Sequence, residues 1–149
     1  MADSSSLARL ASEAERDGVH QLVVGAVVHH HGRVLLLRRP DDDFMGGIFE
    51  LPSGKVEVGE GLGEALVREV TEETGLVVAT ISDYLGRFDY ESGSGKVSRQ
   101  FNFAVEIREP EPIKLAEHDA YIWATLNEPL PVTDSVMEVL GRCRELTGD

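Results

Sequence analysis

The chain has 149 residues, and its acidic side chains outnumber the basic ones by 27 to 14, which gives a formal net charge of −13. This length fits one domain that buries a core without disulfides. The acidic balance opposes nucleic-acid binding, because an acidic surface repels phosphate backbones. No apolar run approaches the ~18 residues of a membrane span, so we expect no membrane partner. A single cysteine excludes an internal disulfide and indicates a reducing compartment, for which we predict the cytoplasm.

The amino-terminal part of the chain predicts a small appendage followed by a β-hairpin. Residues 1–18 are polar with apolar positions at helical spacing, which indicates a short helix or a disordered arm. One domain is predicted from residue 19 to residue 149. Its apolar runs at 22–28 and 34–37 flank a turn that contains three histidines and a glycine, as in a hairpin. Adjacent histidines in an extended segment point to alternate faces, so we interpret them as an exposed hairpin end and not as a metal site.

The middle of the chain predicts a strand, a loop and a helix. Residues 48–51 indicate a short strand that ends before a proline. Residues 54–63 contain four glycines and predict a loop. Residues 64–74 carry an apolar stripe at helical spacing, and Gly75 provides the residue that ends the helix.

The remaining elements complete a mixed architecture. Strands are predicted at 76–81 and 84–90, and residues 101–107 alternate strictly, which indicates a strand with one buried face. A last short strand at 121–124 precedes a second helix at 133–146. Strands mixed with two helices predict a helix–sheet–helix sandwich of the α/β class.

Three glutamates in the predicted middle helix form an unusual cluster. Glu69, Glu72 and Glu73 have spacings that bring their side chains to one side of the helix. Like charges at this spacing destabilise an isolated helix by ~0.2–0.5 kcal/mol per pair, and the helix dipole disfavours anions near the carboxyl end. A hard divalent cation such as Mg²⁺ would remove both penalties, since it takes oxygen ligands. The alternative is a solvated acidic face, which is common in an acidic chain.

The residues around these glutamates favour a site over a solvated face. Arg68 lies four residues before Glu72 and can hold an acid in one rotamer. Glu60 precedes the helix and can reach backbone donors near its amino terminus. Gly54 begins the loop that must bend back beside the helix.

These residues resemble the Nudix box. The box is a glycine, five residues, a glutamate, seven residues, Arg-Glu, an aliphatic residue, any residue, Glu-Glu, any residue, a glycine and an aliphatic residue. The chain supplies every position without departure: Gly54, Glu60, Arg68, Glu69, Val70, Glu72, Glu73, Gly75 and Leu76. A match this long has a far lower false-positive risk than a short motif. Further likeness extends over roughly residues 20–125 through an Arg-Arg pair after the hairpin, Glu-Leu-Pro before the box, and a glutamate before the tryptophan.

The resemblance implies an α/β/α sandwich with a mixed sheet that hydrolyses a diphosphate linkage attached to a nucleoside. It implies Mg²⁺ as the cofactor, with Mn²⁺ as a substitute. The implied metal ligands are the Ser53 carbonyl, Glu69, Glu72, Glu73 and Glu117. Arg68 and Glu60 would orient the carboxylates, and Asp119 competes with Glu117 as the acid from the later loop. For the general base we predict Glu69 first and Glu117 second.

The predicted substrate contacts lie outside the box. Arg38 and Arg39 alternate on a strand, so only one can face a given side, and the family position favours Arg39. A solvent-exposed arginine is the equally weighted alternative. Leu51 and Phe44 are predicted to line the base pocket, although such residues beside a core strand are more often core.

Three functions follow from the resemblance and the composition. The leading one is a nucleoside triphosphate pyrophosphohydrolase that releases monophosphate and pyrophosphate. ADP-ribose or a nucleotide sugar is the alternative substrate. A non-catalytic nucleotide-binding regulator is the alternative of another class, and the intact box opposes it. An acidic calcium-binding protein is disfavoured, since the 12-residue calcium loop is absent. Family members are often dimers, so the resemblance implies a homodimer.

Overall fold

A computed structural model describes residues 4–40, 46–91, 94–126 and 130–147. These residues form three helices and seven strands. In chain order they are α1 (Ser4–Arg16), β1 (Gln21–His30), β2 (Arg33–Arg38), β3 (Phe49–Glu50), β4 (Ser53–Lys55), α2 (Leu62–Thr74), β5 (Val78–Glu91), β6 (Val97–Ile107), β7 (Ala120–Thr125) and α3 (Asp134–Thr147). None of the described helices is long and apolar enough to cross a membrane.

Strand β1 lies at the centre of a mixed sheet. It pairs in parallel with β6, which in turn pairs antiparallel with β5. On its other edge β1 pairs antiparallel with β4 and, at its end, with β2. Strands β3 and β7 both pair antiparallel with β2. The mixed sheet of the sequence prediction is therefore confirmed.

The hairpin between β1 and β2 has a two-residue turn. His31 and Gly32 occupy this turn with φ angles of 50° and 76°. Positive φ at both positions matches the turn whose twist fits a right-handed β-ribbon. His29 and His30 end β1 and pair with β2, so the predicted hairpin is confirmed.

Helices cover both faces of the sheet, because β1 and β6 alternate buried apolar side chains between two cores. The first core packs β1 and β6 against α2 and α1, with Leu66 of α2 and Phe101 of β6 both at most 1% exposed. The second core packs the opposite face against α3, through Leu140 and Cys143. Burying one such leucine stabilises the fold by about 1.5–3 kcal/mol. This arrangement is the predicted α/β/α sandwich.

Several boundaries differ from the sequence prediction. The first segment is a helix, α1, whose Ala14 is fully buried against the first core. The glycine-rich stretch contains a strand, β4, whose partners come from β1, which is distant in sequence. Helix α2 begins at Leu62, two residues early, because the Glu64 carboxylate accepts a hydrogen bond from the Gly61 N–H at 3.1 Å.

Strands β5 and β6 also correct the prediction. The two strands predicted at 76–81 and 84–90 are one strand, β5, interrupted by register shifts. The prediction of one buried face on β6 is wrong, because Gln100 and Asn102 on its second face are 7% and 0% exposed. Strand β6 is an inner strand with a neighbour on each edge, and its buried amides bond to each other and to the Gly86 carbonyl.

Candidate active site

The backbone of β4 lies directly against α2 at Gly54. A Cβ placed on this residue would collide with the carboxylate of Glu69. Only glycine allows so close an approach, since every other residue adds that atom. The first box residue therefore brings the β4 backbone and the helix carboxylates together.

Arg68 lies at the centre of the acidic cluster. Its Nε and Nη2 donate to the two oxygens of Glu60 at 2.7 and 2.9 Å. Its Nη1 donates to Glu69 at 2.7 Å and to Glu72 at 3.1 Å, and Nη2 also reaches the Lys55 carbonyl at 3.0 Å. The bond from Arg68 and a second one from the Glu57 N–H lower the pKa of Glu60 to about 2. The guanidinium thus fixes three box carboxylates in one arrangement.

Glu73 is the most buried carboxylate of the cluster. Its side chain is 13% exposed, and its Oε1 accepts a hydrogen bond from the Ser53 N–H at 2.7 Å. Burial raises the pKa of Glu73 to about 7, although the Ser53 bond and His118 act in the opposite direction. The charges of Glu69 and Glu50 raise this pKa further. A carboxylate held among like charges favours the arrival of a cation.

The edge of β4 that does not pair with β1 faces the Glu73 carboxylate. The Ala26 N–H donates to the Pro52 carbonyl, so Pro52 points toward β1. Backbone groups alternate along an antiparallel strand, so those of Ser53 and Lys55 point to the other edge. The Ser53 carbonyl, the predicted backbone ligand, therefore lies on the same edge as its N–H bond to Glu73.

Two residues of the site were missed by the sequence analysis. His118 Nε2 lies 2.7 Å from Glu50 Oε2, and its Nδ1 lies 3.4 Å from Glu73 Oε2. Burial opposes the charged imidazole, but the bond to Glu50 and the Glu73 charge outweigh it and raise the pKa of His118. The buried Nδ1 has no hydrogen-bond partner among the described residues. A histidine next to Glu117 was the available sequence signal for this contact.

These groups line two adjoining hollows that share Ser53, Glu73 and Glu117. The smaller hollow, of about 140 Å³, is completed by Arg39, Pro40, Glu50 and His118. The larger one extends along β4 and α2 past Glu69 and Glu72.

The alternatives left open in the sequence separate in space. Glu117 lines both hollows, whereas Asp119 accepts a hydrogen bond from Arg38 Nη1 at 2.7 Å. Arg39 lines the smaller hollow and donates to Glu50 at 3.2 Å. The neighbouring arginines thus diverge as strand alternation requires.

Two residues outside the box, Leu51 and Phe44, were predicted to line a base pocket. Leu51 is 2% exposed and packs in the α3 core, which leaves it almost no surface for a ligand, so its predicted place in a base pocket is corrected. Leu51 instead packs in the core, next to Pro52 and immediately before β4. Phe44 lies outside the residues that the structure describes.

The donor set fits a hard divalent cation. Glu69, Glu72 and Glu73 offer carboxylate oxygens, and burial raises the pKa of Glu69 as it does that of Glu73. Carboxylate and carbonyl oxygens are the ligands that Mg²⁺ takes. Within the described ranges, no three His, Cys, Asp or Glu side chains already converge as a metal site. Glu69 and Glu72 are instead turned to Arg68, so metal binding requires them to share oxygens with the guanidinium or to turn away from it.

Comparison with known proteins identifies the family. The model of the NUDIX domain matches residues 19–139. The chain belongs to the Nudix family. The CTP pyrophosphohydrolase of Escherichia coli K12 is 33% identical over 111 residues, which cover 72% of this chain and 78% of that protein. The 8-oxo-dGTP diphosphatase of the same organism is 33% identical over 92 residues, covering 62% of this chain and 70% of that protein.

Solved structures agree with this assignment. The crystal structure of the MutT protein from Methanosarcina mazei superposes with a TM-score of 0.74 at 26% identity, covering 89% of this chain and 99% of that one. The predicted Nudix fold and the prediction of a diphosphate-bond hydrolase are thereby confirmed. The roles of the individual side chains stay predictions.

Proposed function

We propose that this Nudix hydrolase is a Mg²⁺-dependent nucleoside triphosphate pyrophosphohydrolase that converts its substrate to nucleoside monophosphate and pyrophosphate, and so cleanses the nucleotide pool. The observation that carries the proposal is the Gly54 contact, which sets the Glu69 carboxylate and the buried Glu73 against one strand edge. Two relatives whose names include a nucleoside triphosphate, CTP and 8-oxo-dGTP, support the substrate class.

The chemistry follows from charge. Diphosphate oxygens repel a nucleophile, and a bound divalent ion neutralises that charge and lowers the pKa of water. Ser53, Glu69, Glu72 and Glu73 would hold the ion at the β4 edge, with Glu117 facing them across the hollows. Arg68 and Glu60 keep the carboxylates in place, because both oxygens of Glu60 are bonded to the guanidinium.

The reaction breaks one phosphoanhydride bond. Water attacks a phosphorus of the linkage, its proton passes to a carboxylate, and the electron pair of the broken P–O bond leaves with the departing phosphate group. We assign the proton acceptor to Glu69, and to Glu117 as the alternative. Arg39 faces the smaller hollow and would bind a phosphate oxygen, since a guanidinium binds phosphate in a bidentate manner.

A product-resolved hydrolysis screen tests the proposal. Wild-type protein and Glu73→Gln would be incubated in Mg²⁺, and separately in Mn²⁺, with CTP, 8-oxo-dGTP, other nucleoside triphosphates, ADP-ribose and nucleotide sugars. Monophosphate plus pyrophosphate, formed by the wild type and not by the variant, is the expected result. Cleavage of ADP-ribose or a sugar nucleotide alone would refute the triphosphate assignment while keeping the mechanism. Binding of nucleotides without turnover would instead support a regulator.

Two further expectations rest on the family resemblance and on the composition of the chain. A homodimer is expected from the family, and light scattering of the purified protein would measure its mass in solution. Cytoplasmic location, expected from the single cysteine, stays a prediction for cell fractionation to test.

A further inference from the structure

The α3 face of the sheet carries a buried amide pair that the catalytic site does not use. In the parallel pairing of β1 with β6, Gly25 lies opposite Asn102, and Val23 lies opposite Gln100. Paired residues in neighbouring strands share a face. A Cβ on Gly25 would lie 2.5 Å from Gln100 Nε2 and 2.6 Å from Asn102 Oδ1. The two amides therefore lie across this glycine, which no larger residue could replace without displacing them.

Hydrogen bonds fix the orientation of both amides. Asn102 Nδ2 donates to the carbonyls of Gly86 at 3.1 Å and Gln100 at 3.3 Å. Carbonyls only accept, so Asn102 must turn its Oδ1 toward Gln100, whose Nε2 donates to it at 2.8 Å. Gln100 thus presents its Oε1 at the other end of the amide. Among the residues that the structure describes, none donates a hydrogen bond to this Oε1, although Gln100 is only 7% exposed.

Aromatic rings border the same amide. Phe88 of β5 pairs with Gln100, and Tyr90 pairs with Ser98, so both rings lie on this face. Their centroids are 6.2 Å apart, and Tyr90 is 43% exposed. An exposed ring beside an amide oxygen is suited to a flat heterocycle, which stacks on the ring and hydrogen-bonds at its edge.

This face continues into the catalytic hollows. Strand β4 pairs with β1 so that Ser53 lies opposite Gly25, which itself lies opposite Asn102. Two strand spacings, about 10 Å, separate Ser53 from Asn102, a span that a ribose and one phosphate can bridge. The carboxylate of Glu50, which lines the smaller hollow, is also close enough to Tyr90 for its charge to add to burial in raising the pKa of Tyr90.

The apolar side chains of helix α3 pack on the sheet next to Gln100 and Asn102 but do not include them in their core. This core includes Val27 and Ala104, the pair one step further along β1 and β6. Arg142 of α3 donates to the Leu85 carbonyl at 2.9 Å and lies over Gly86. The amide pair therefore lies beside α3 and not beneath its apolar stripe.

We propose that Gln100, oriented by Asn102 over Gly25, reads the base of the substrate and selects nucleotides whose base carries an exocyclic amino group, cytosine over uracil. The inference rests on the proposed nucleotide activity and names its base. Gln100 Oε1 accepts from the amino group of cytosine, whereas uracil offers a carbonyl oxygen at that position, and two acceptors repel. The same rule favours adenine over hypoxanthine.

Isosteric substrate pairs test the proposal. The ratio of kcat/KM for CTP to that for UTP, and for ATP to ITP, would be measured for the wild type, Gln100→Met and Gln21→Met. Gln21 lies on the same face, but its Nε2 donates to the Leu22 and Val56 carbonyls, so it is a control for the chemical change alone. We expect the amino-bearing base to be preferred about tenfold by the wild type and by Gln21→Met. In Gln100→Met the preference should approach unity.

Binding of the monophosphates separates the two proposals. The dissociation constants of CMP and UMP need no turnover, so they report on base reading even if no triphosphate is hydrolysed. Tighter binding of CMP by the wild type, lost in Gln100→Met, supports the inference. Equal binding of CMP and UMP by the wild type overturns it, and this comparison needs no variant to fold. Hydrolysis with equal CTP and UTP rates would leave the proposed activity standing and refute the base assignment.

Discussion

The carboxylates around Arg68 and the amides over Gly25 lie on either side of β4, and they are assembled in different ways. The charged cluster comes largely from one helix and the loop before it, and an ionic network holds it. Both amides come from β6 and lie over Gly25 of β1, and neutral hydrogen bonds to each other and to the Gly86 carbonyl of β5 hold them. Carboxylates suit a metal ion that binds the phosphates of any nucleotide, whereas a hydrogen-bond acceptor in a fixed position discriminates among bases. Changes at the first cluster should therefore alter turnover without altering base preference.

The largest effect is expected for Glu73→Gln. An amide keeps the size of the side chain and can still accept from Ser53, but it loses the charge that binds a cation. Turnover should fall on the order of 10³-fold, as for other residues central to a reaction. Steady-state assays with CTP measure this loss, and circular dichroism verifies the fold.

Glu64→Gln is the matched control on the same helix. Glu64 accepts from the Gly61 N–H, and a glutamine oxygen can do the same. This variant should keep wild-type turnover. Equal turnover in Glu73→Gln and wild type would remove Glu73 from the metal site.

Arg68→Lys should have the next largest effect. A lysine cannot bond both Glu60 oxygens and also reach Glu69, because it lacks the planar guanidinium. We expect a loss of about 10–100-fold in kcat/KM, typical of residues that orient metal ligands. The CTP to UTP ratio should stay at the wild-type value, and a changed ratio would contradict the separation of the two regions.

Gly54→Ala should lower both activity and stability. The new methyl group collides with the Glu69 carboxylate, so β4 or the side chain must move. Overpacking of this kind costs about 1–3 kcal/mol in the free energy of unfolding, measured by urea denaturation. Gly141→Ala is the matched control, since nothing lies within 4 Å of a Cβ at this position in α3. It should gain about 0.5–1 kcal/mol from helix propensity, and a loss there would show that the Gly54 result is not specific.

The smallest effect is expected for Asp89, which lies on the face of the sheet opposite to Gln100 and Asn102, the amide face. Both oxygens of Asp89 accept hydrogen bonds from the buried Arg99, and this bond holds the pKa of the carboxyl below its ordinary value. A depressed pKa stabilises the fold above the unfolded pKa, and this stability is lost as the pH falls through the folded pKa. Asp89→Asn should therefore unfold about 0.5–1 kcal/mol more easily at pH 7, a small amount because Asp89 is partly exposed.

Denaturation at two pH values tests whether the stabilisation by Asp89 decreases as the pH falls. The difference between wild type and Asp89→Asn should narrow below about pH 4, where the unfolded carboxyl takes up a proton. Glu106→Gln, at an exposed position on β6, serves as the control. A difference that grows toward low pH would be inconsistent with the ion pair. Base preference should be unaffected in both variants, since Arg99 and Asp89 point away from the amide face.

Prediction from sequence succeeded where the signal was local. The helix that carries Glu69 and Glu73 follows from periodicity and from Gly75, whose φ of 76° ends α2 as predicted. The hairpin follows from a turn that demands positive φ. Prediction failed where partners decide the structure: β4 is a strand only because β1 pairs with it, and Leu51 is core only because α3 covers it.

The family, the order of most elements and the spacing that brings three carboxylates to one side of α2 can be predicted from the amino-acid sequence, because they depend on residues close together in the chain. Contacts between residues far apart in the chain are visible only in the folded structure. The tertiary fold set Glu117 at the hollows and Asp119 on Arg38, brought His118 between Glu50 and Glu73, and laid Gln100 over Gly25. Such contacts join strands and loops far apart in sequence, and their energies depend on register and burial, which no local pattern specifies.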